Sequence, residues 1–220
     1  MQFLKETFML NQINKTIIEI TPVIIKLDIN DIKPVEVFEN LINSDNSIKA
    51  FLFENNEENK PAYSFLGINP LETLRIKDNL VTLEKNNETI ILSGDPVEII
   101  NDYLLKYNFT KKEDCPQFTG GIIGNISYDF VKYLEKINLP QTNSFSENET
   151  CLMLFKDIIV FDHINNQLFI ISNILKNNPS ETEYQEALKI AKAMEQRVIS
   201  SPKIKDIEYL LVITETIHTR

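Results

Sequence analysis

The sequence predicts an α+β protein in which antiparallel β-sheets pack as a sandwich with helices on the outer faces. Three observations carry this expectation. Between Tyr63 and Leu92 the β-rich runs Tyr63 to Phe65, Leu71 to Ile76, Leu80 to Glu84 and Thr89 to Leu92 are parted by Asp78-Asn79 and Asn86-Asn87. Asp and Asn tolerate left-handed turn geometry, so the pattern is that of an antiparallel meander. A second pair of β-rich runs, Leu152 to Phe161 and Leu168 to Ile174, is joined by Asp162-His-Ile-Asn-Asn-Gln167 and predicts a hairpin. Helices are announced by their caps: Asp95-Pro96-Val97-Glu98 places a capping side chain and a first-turn proline before Ile100, Tyr103, Leu104 and Tyr107, and Ser180-Glu-Thr-Glu183 forms a capping box before Tyr184, Ala187, Leu188, Ala191 and Met194.

The remaining elements follow from the same rules. Residues 1–30 hold two short edge-strand candidates around Ile17-Ile18 and Val23-Ile24-Ile25, separated by Pro22. Pro34 opens a helix whose stripe is Val35, Phe38, Leu41 and Ile42 and which runs to about Asn43. Ala50 to Phe53 reads as a strand that ends at Glu54-Asn55 and an acidic, asparagine-rich loop to Lys60. The Asp95 helix ends near Lys106, Leu139 to Thr150 is a polar loop, and the capping box at Ser180 opens a helix over about Glu181 to Val198. Ser200-Ser201-Pro202 reads as a linker, and Tyr209 to His218 fits either a strand or a helix.

Composition narrows the function classes. With 220 residues and 43% hydrophobic content the chain buries a substantial core. A formal net charge of −10, with arginine only at Arg75, Arg197 and Arg220, leaves no arginine-rich surface for a phosphate backbone, so no nucleic-acid partner is expected. Met1-Gln-Phe-Leu-Lys-Glu6 lacks the basic region and long apolar core of a secretory leader, and no run approaches the roughly 18 apolar residues of a membrane span, so no membrane partner and a cytoplasmic location are expected. Cys115 and Cys151 stand apart from any histidine cluster or Cys-x-x-Cys pair and read as reduced thiols.

Backbone freedom is concentrated in one stretch. Gly120, Gly121 and Gly124 are three of five glycines in the chain. They enter an apolar, β-branched run from Ile122 to Tyr128 that reads as a buried strand in a crowded sheet. That strand feeds a helix through Ser127, Asp129, Val131, Leu134 and Ile137. The spacing matches neither a dinucleotide fingerprint nor a Walker loop, and the glycines precede a strand where a phosphate cradle needs a helix.

The run Gly120 to Glu135, GGIIGNISYDFVKYLE, resembles the GG-x-x-G, YD, V and E signature of the amino-terminal domain of anthranilate synthase component I and its aminodeoxychorismate synthase relatives. Three further segments agree in order: Phe51-Leu-Phe-Glu-Asn55 with the family's LLES segment, Tyr63 to Pro70 with its YSF-(x)-G-x-x-P segment, and Ile159 to His163 with its strand ending in Asp-His. Together they cover roughly residues 30–175. The resemblance implies that residues 1–200 are an amino-terminal domain of the anthranilate and aminodeoxychorismate synthase fold, with 201–220 a linker and the start of an absent chorismate-binding domain. It implies a lyase of tryptophan biosynthesis that, when whole, turns chorismate and ammonia, delivered by a glutamine amidotransferase subunit, into anthranilate and pyruvate. Chorismate and Mg2+ are expected only with the catalytic domain; this part is expected to hold no catalytic residue, cofactor or metal and to be inactive alone. The alternatives are aminodeoxychorismate synthase component I of the folate pathway and a free-standing regulatory domain.

The resemblance also assigns Leu52, Phe53, Glu54 and Asn55 to a feedback site for L-tryptophan. A carboxylate and a polar neighbour at a strand end suit a ligand whose ammonium and indole N–H both need acceptors. Asn55 stands where the family has serine. Read from composition alone, Glu54-Asn55 is a solvated strand-to-loop turn. Tyr128-Asp129 reads as a helix-start device and Asp162-His163 as a structural turn, since no Ser or Cys motif accompanies the histidine. The acidic pair Glu113-Asp114 and the run Glu147 to Glu149 lack the offsets of a calcium loop and read as solvated.

Overall fold

The computed structural model describes residues 17–29, 31–43, 49–54, 62–109, 115–135 and 149–200. Asn55, Glu113-Asp114, Ile137, most of the polar loop before Thr150, the linker beyond Ser200 and the 209–218 segment lie outside the described residues.

Strand β1, Ile18–Asp28, is followed by helix α1, Pro34–Ile42, and by β2, Ala50–Glu54, and β3, Tyr63–Ile68. Strands β4, Glu72–Lys77, β5, Leu80–Lys85, and β6, Glu88–Leu92, lead into α2, Pro96–Leu105, and the short β7, Tyr107–Phe109. Strand β8, Gly121–Ile126, passes through a 3-10 turn at Tyr128–Phe130 into the four-residue α3, Val131–Leu134. Strands β9, Thr150–Phe155, β10, Asp157–Asp162, and β11, Gln167–Leu175, precede α4, Glu181–Ile199.

These strands form a six-stranded sheet, β2-β3-β10-β11-β1-β7, and a five-stranded sheet, β6-β5-β4-β9-β8, antiparallel except where β7 runs parallel to β1. Alternation along each strand sends its two sets of side chains to different cores. Leu66, Ile159, Phe161 and Ile170 pack under Val37 and Leu41 of α1 and Ala191, Met194 and Val198 of α4. Phe155, Ile158, Val160, Phe169 and Ile171 fill the space between the sheets, with Phe65, Phe118, Ile123 and Met153 against them. Leu74, Ile76, Leu152 and Leu154 meet Ile100 and Tyr103 of α2 and Phe130. The architecture is the predicted one, two sheets face to face with helices outside.

The structure corrects four details. Residues 18–28 form one strand, not two, and that strand lies between β11 and β7. The Ile18 amide donates to Lys106 O on the β7 side at 2.9 Å. Amides two apart point the same way, so the nitrogen of Pro22 faces that side too, beyond the last paired residue Ile20. Tyr107, read as part of a helical stripe, begins β7 instead. Strand β3 belongs to a different sheet from β4, β5 and β6, so the meander covers only those three. The run Leu152 to Phe161 is two strands in two sheets, with Lys156 alone between them.

Strand β8 also departs from expectation. It is the outer strand of its sheet, its second half is exposed, and Tyr128 lies beyond it in the 3-10 turn. Ser127 precedes that turn without a capping hydrogen bond. Gly124 is required there by close approach: a Cβ would stand 1.8 Å from Cys151 O of the neighbouring strand. The two Asn-containing turns are as read, with positive φ at Asp78, Asn79, Asn86 and Asn87, and Asp95 Oδ1 accepts from the Val97 and Glu98 amides at 2.9 and 3.1 Å.

Candidate functional site

Strands β2, β3 and β10 lie side by side and end together. Their register sets Glu54 opposite Ser64 and Ser64 opposite Phe161. Residues in such a row share a face, and His163, two positions past Phe161, returns to that same face. Its ring stacks on the Phe161 ring with centroids 6.1 Å apart and planes 13° from parallel. Its backbone amide donates to Ala62 O at 3.1 Å. Ser64 Oγ, fully buried, lies 2.8 Å from His163 Nε2 and 3.5 Å from Glu54 Oε1.

The three resemblance segments, Phe51 to Asn55, Tyr63 to Pro70 and Ile159 to His163, thus occupy neighbouring strands, and each delivers a polar residue to the same end of one sheet. The turn after β10, which begins at His163, is held by the Asp162 side chain. Asp162 Oδ1 accepts from the Ile164 and Asn165 amides at 3.0 and 2.9 Å, and Oδ2 accepts from Asn165 Nδ2 at 2.7 Å. Burial, reinforced by the Asp162 charge and hydrogen bond, pushes the Tyr63 phenol up. Asp162-His163 is a structural turn, as read, and the His163 ring also lies against Ser64, in a strand 99 positions earlier.

The four residues assigned to a feedback site do not share one surface. Leu52 packs against the core beneath α1 and α4. Phe53 points to the opposite face and is 64% exposed. Glu54 is the exposed carboxylate at the strand end, and Asn55 is outside the described residues. Sequence reasoning missed Ser64 and His163 as neighbours of Glu54; the signal was a polar residue near the end of each of three separate motif segments.

Nucleophilic chemistry does not suit this trio. In a hydrolytic triad the imidazole stands between hydroxyl and carboxylate, taking the proton from one and being held by the other. Here the hydroxyl stands between imidazole and carboxylate, and it is sealed from solvent. The arrangement can hold a carboxylate for a ligand; it cannot expose Ser64 to one.

Of the other buried carboxylates, Glu72 and Glu149 are bound by several partners within the fold. Glu72 meets Lys85 Nζ at 2.6 Å, Lys106 Nζ at 3.6 Å and the Tyr107 hydroxyl at 2.8 Å. Burial opposes its ionisation, but these partners outweigh burial and hold the carboxyl below its ordinary value. Glu149 is held in the same way by Lys132, the Tyr133 hydroxyl and the Asp78 amide. Among the described residues no group of three or more His, Cys, Asp or Glu side chains could hold a metal ion. No helix among them is long and apolar enough to cross a membrane.

No protein-family model matches the chain. It is 30% identical over 178 residues to anthranilate synthase component 1 of Acinetobacter calcoaceticus, covering 77% of this chain and 35% of that protein. Against anthranilate synthase component 1 of Saccharomyces cerevisiae the identity is 33% over 154 residues, 68% of this chain and 28% of that one. Against aminodeoxychorismate synthase component 1 of Bacillus subtilis it is 28% over 112 residues, 51% and 24%. The chain is a homologue of these component 1 proteins. It spans between 24% and 35% of the length of these relatives. The crystal structure of anthranilate synthase component I from Streptococcus pneumoniae superposes on 71% of this chain and 34% of that one with a TM-score of 0.50 and 18% identity, a likeness of fold. The homologous segment holds the three-strand end where Glu54, Ser64 and His163 meet.

Proposed function

We propose that this chain is the amino-terminal part of a cytoplasmic anthranilate synthase component 1. With a catalytic domain it serves the conversion of chorismate and ammonia to anthranilate and pyruvate, the ammonia coming from a glutamine amidotransferase partner. Its own share is to complete the sheet sandwich and to supply Leu52, Phe53, Glu54 and Asn55 to a tryptophan feedback site. The observation that carries this reading is the 30% identity to an anthranilate synthase component 1 over 77% of the chain. The test is to express the whole reading frame that holds residues 1–220 and supply chorismate, magnesium and ammonia. Anthranilate fluorescence that falls on addition of tryptophan supports the reading. Aminodeoxychorismate as the product would favour the second reading, drawn from the B. subtilis relative, and no product from chorismate would leave a free-standing regulatory domain.

A further inference from the structure

We infer that Ser64 and His163 are positioning residues that hold the Glu54 carboxylate in place to receive a ligand's ammonium group; this rests on the proposed feedback site. An ionised carboxylate can only accept hydrogen bonds, and a serine has one proton to give. Of the two groups beside Ser64, His163 Nε2 at 2.8 Å is the nearer and Glu54 Oε1 at 3.5 Å the farther. If Ser64 gives its proton to a bare Nε2, nothing in the trio holds Glu54. If Nε2 carries a hydrogen and donates to the serine oxygen, the Ser64 proton is released toward Glu54 and draws the carboxylate in. The second arrangement satisfies all three groups, and it is the one assigned here.

The surroundings fit that assignment. The His163 ring cannot swing freely, being stacked on Phe161 with its amide tied to Ala62 O. The other carboxylate of the turn, Asp162, is committed to the Ile164 and Asn165 amides. Ser64 is fully buried, so water does not compete for its proton, whereas Glu54 is exposed and open to a ligand. One face of the carboxylate is therefore fixed from behind while the other meets solvent.

The test is a double-mutant cycle on the product of the whole reading frame, reading the tryptophan concentration that halves each variant's own uninhibited rate. Ser64→Ala should raise that concentration about tenfold. In a Glu54→Ala background the same change should add nothing, because Ser64 acts through Glu54. An equal tenfold effect in both backgrounds, or no effect in either, overturns the inference. A second measurement does not depend on tryptophan. The chain has two histidines, so the imidazole nitrogens of His163 are assigned by comparison with a His163→Asn variant. They should respond to Glu54→Gln in the parent and much less in Ser64→Ala; equal responses overturn the inference. If tryptophan inhibits no variant, the feedback reading fails and this imidazole comparison alone decides whether the three residues are coupled.

Discussion

Gly120 and Asn173 fill each other's space: a Cβ on Gly120 would stand 2.5 Å from Asn173 Nδ2 and 3.2 Å from Phe155 O. Gly120 also has φ of +142°, a conformation that side chains with a Cβ rarely adopt. The Asn173 amide uses the room left by the glycine to donate to Thr119 O at 2.7 Å and Lys156 O at 2.6 Å. Thr119 stands at the entrance to β8 and Lys156 at the break between the sheets, so one buried side chain joins the six-stranded sheet to the five-stranded one. Gly120→Ala should cost about 2 kcal/mol from backbone conformation alone, with steric displacement added. Asn173→Ala should cost about 1–3 kcal/mol: Thr119 O loses its side-chain donor, while Lys156 O keeps the backbone amide of residue 173. Urea unfolding midpoints of the two variants measure both; midpoints within error of the parent's would show that the junction is dispensable.

The turns at Asp78-Asn79 and Asn86-Asn87 hold two consecutive residues at positive φ. Asn79→Ala and Asn87→Ala should each cost about 1–2 kcal/mol, the penalty of a Cβ in left-handed backbone without a compensating side chain. Asn87→Gly should be neutral or stabilising. Thermal midpoints rank the three, and an order with alanine above glycine would contradict the turn geometry.

Acid should unfold the protein partly through Glu72. Its folded carboxyl is held below the unfolded value by Lys85, Lys106 and Tyr107 against the opposing effect of burial. The stability it contributes is present above the ordinary glutamate value and is lost as pH falls through the folded one. Glu149 has the same sign. Asp157 has the opposite sign: burial raises it despite the Ser172 hydroxyl 2.6 Å away, so its protonation favours the folded state as pH falls. Glu72→Gln should cost about 3 kcal/mol at neutral pH, by stranding two half-buried lysines, and should flatten the acid limb. Denaturant midpoints at about pH 7 and about pH 4 test this; parallel acid limbs for parent and variant would remove Glu72 from the account.

Beside the outer strand β8, Ile126 is 55% exposed, Tyr128 83% and Leu134 61%. An unpaired sheet edge beside apolar side chains favours association. Residues 1–220 should self-associate at tens of micromolar, and Ile126→Lys should shift sedimentation toward the monomer. A parent that sediments as a clean monomer at that concentration would mean this edge is already protected.

Glu54→Ala in the whole gene product should weaken tryptophan inhibition roughly ten- to a hundredfold, the loss of one charged acceptor. Loss of turnover with inhibition unchanged would move Glu54 out of a feedback site and weaken the case for anthranilate synthase over its folate-pathway relative.

What the sequence made legible was local. Asn86-Asn87 and Asp95-Pro96 announce their turn and cap because the side chains themselves set the backbone there. Lys156 carries no such mark: it is an ordinary residue in a continuous β-rich run, and only the pairing of its neighbours reveals that the chain changes sheets. Tyr107 misleads because its spacing continues the α2 stripe, while the pairing with Ile18 that claims it lies far away in sequence. Ser64 looks like any strand serine. Its meeting with His163 depends on three strands adopting one register, which no spacing along the chain encodes.

The single residue between β9 and β10 has a consequence for motion. Lys156 O receives both the amide and the side chain of Asn173, at 3.2 and 2.6 Å. With no slack on either side of Lys156, the layers cannot part without breaking those bonds and dragging the strands of both sheets. Amide protons along β9 and β10 should therefore exchange with solvent at one common opening free energy, and the two layers should melt as a single cooperative unit.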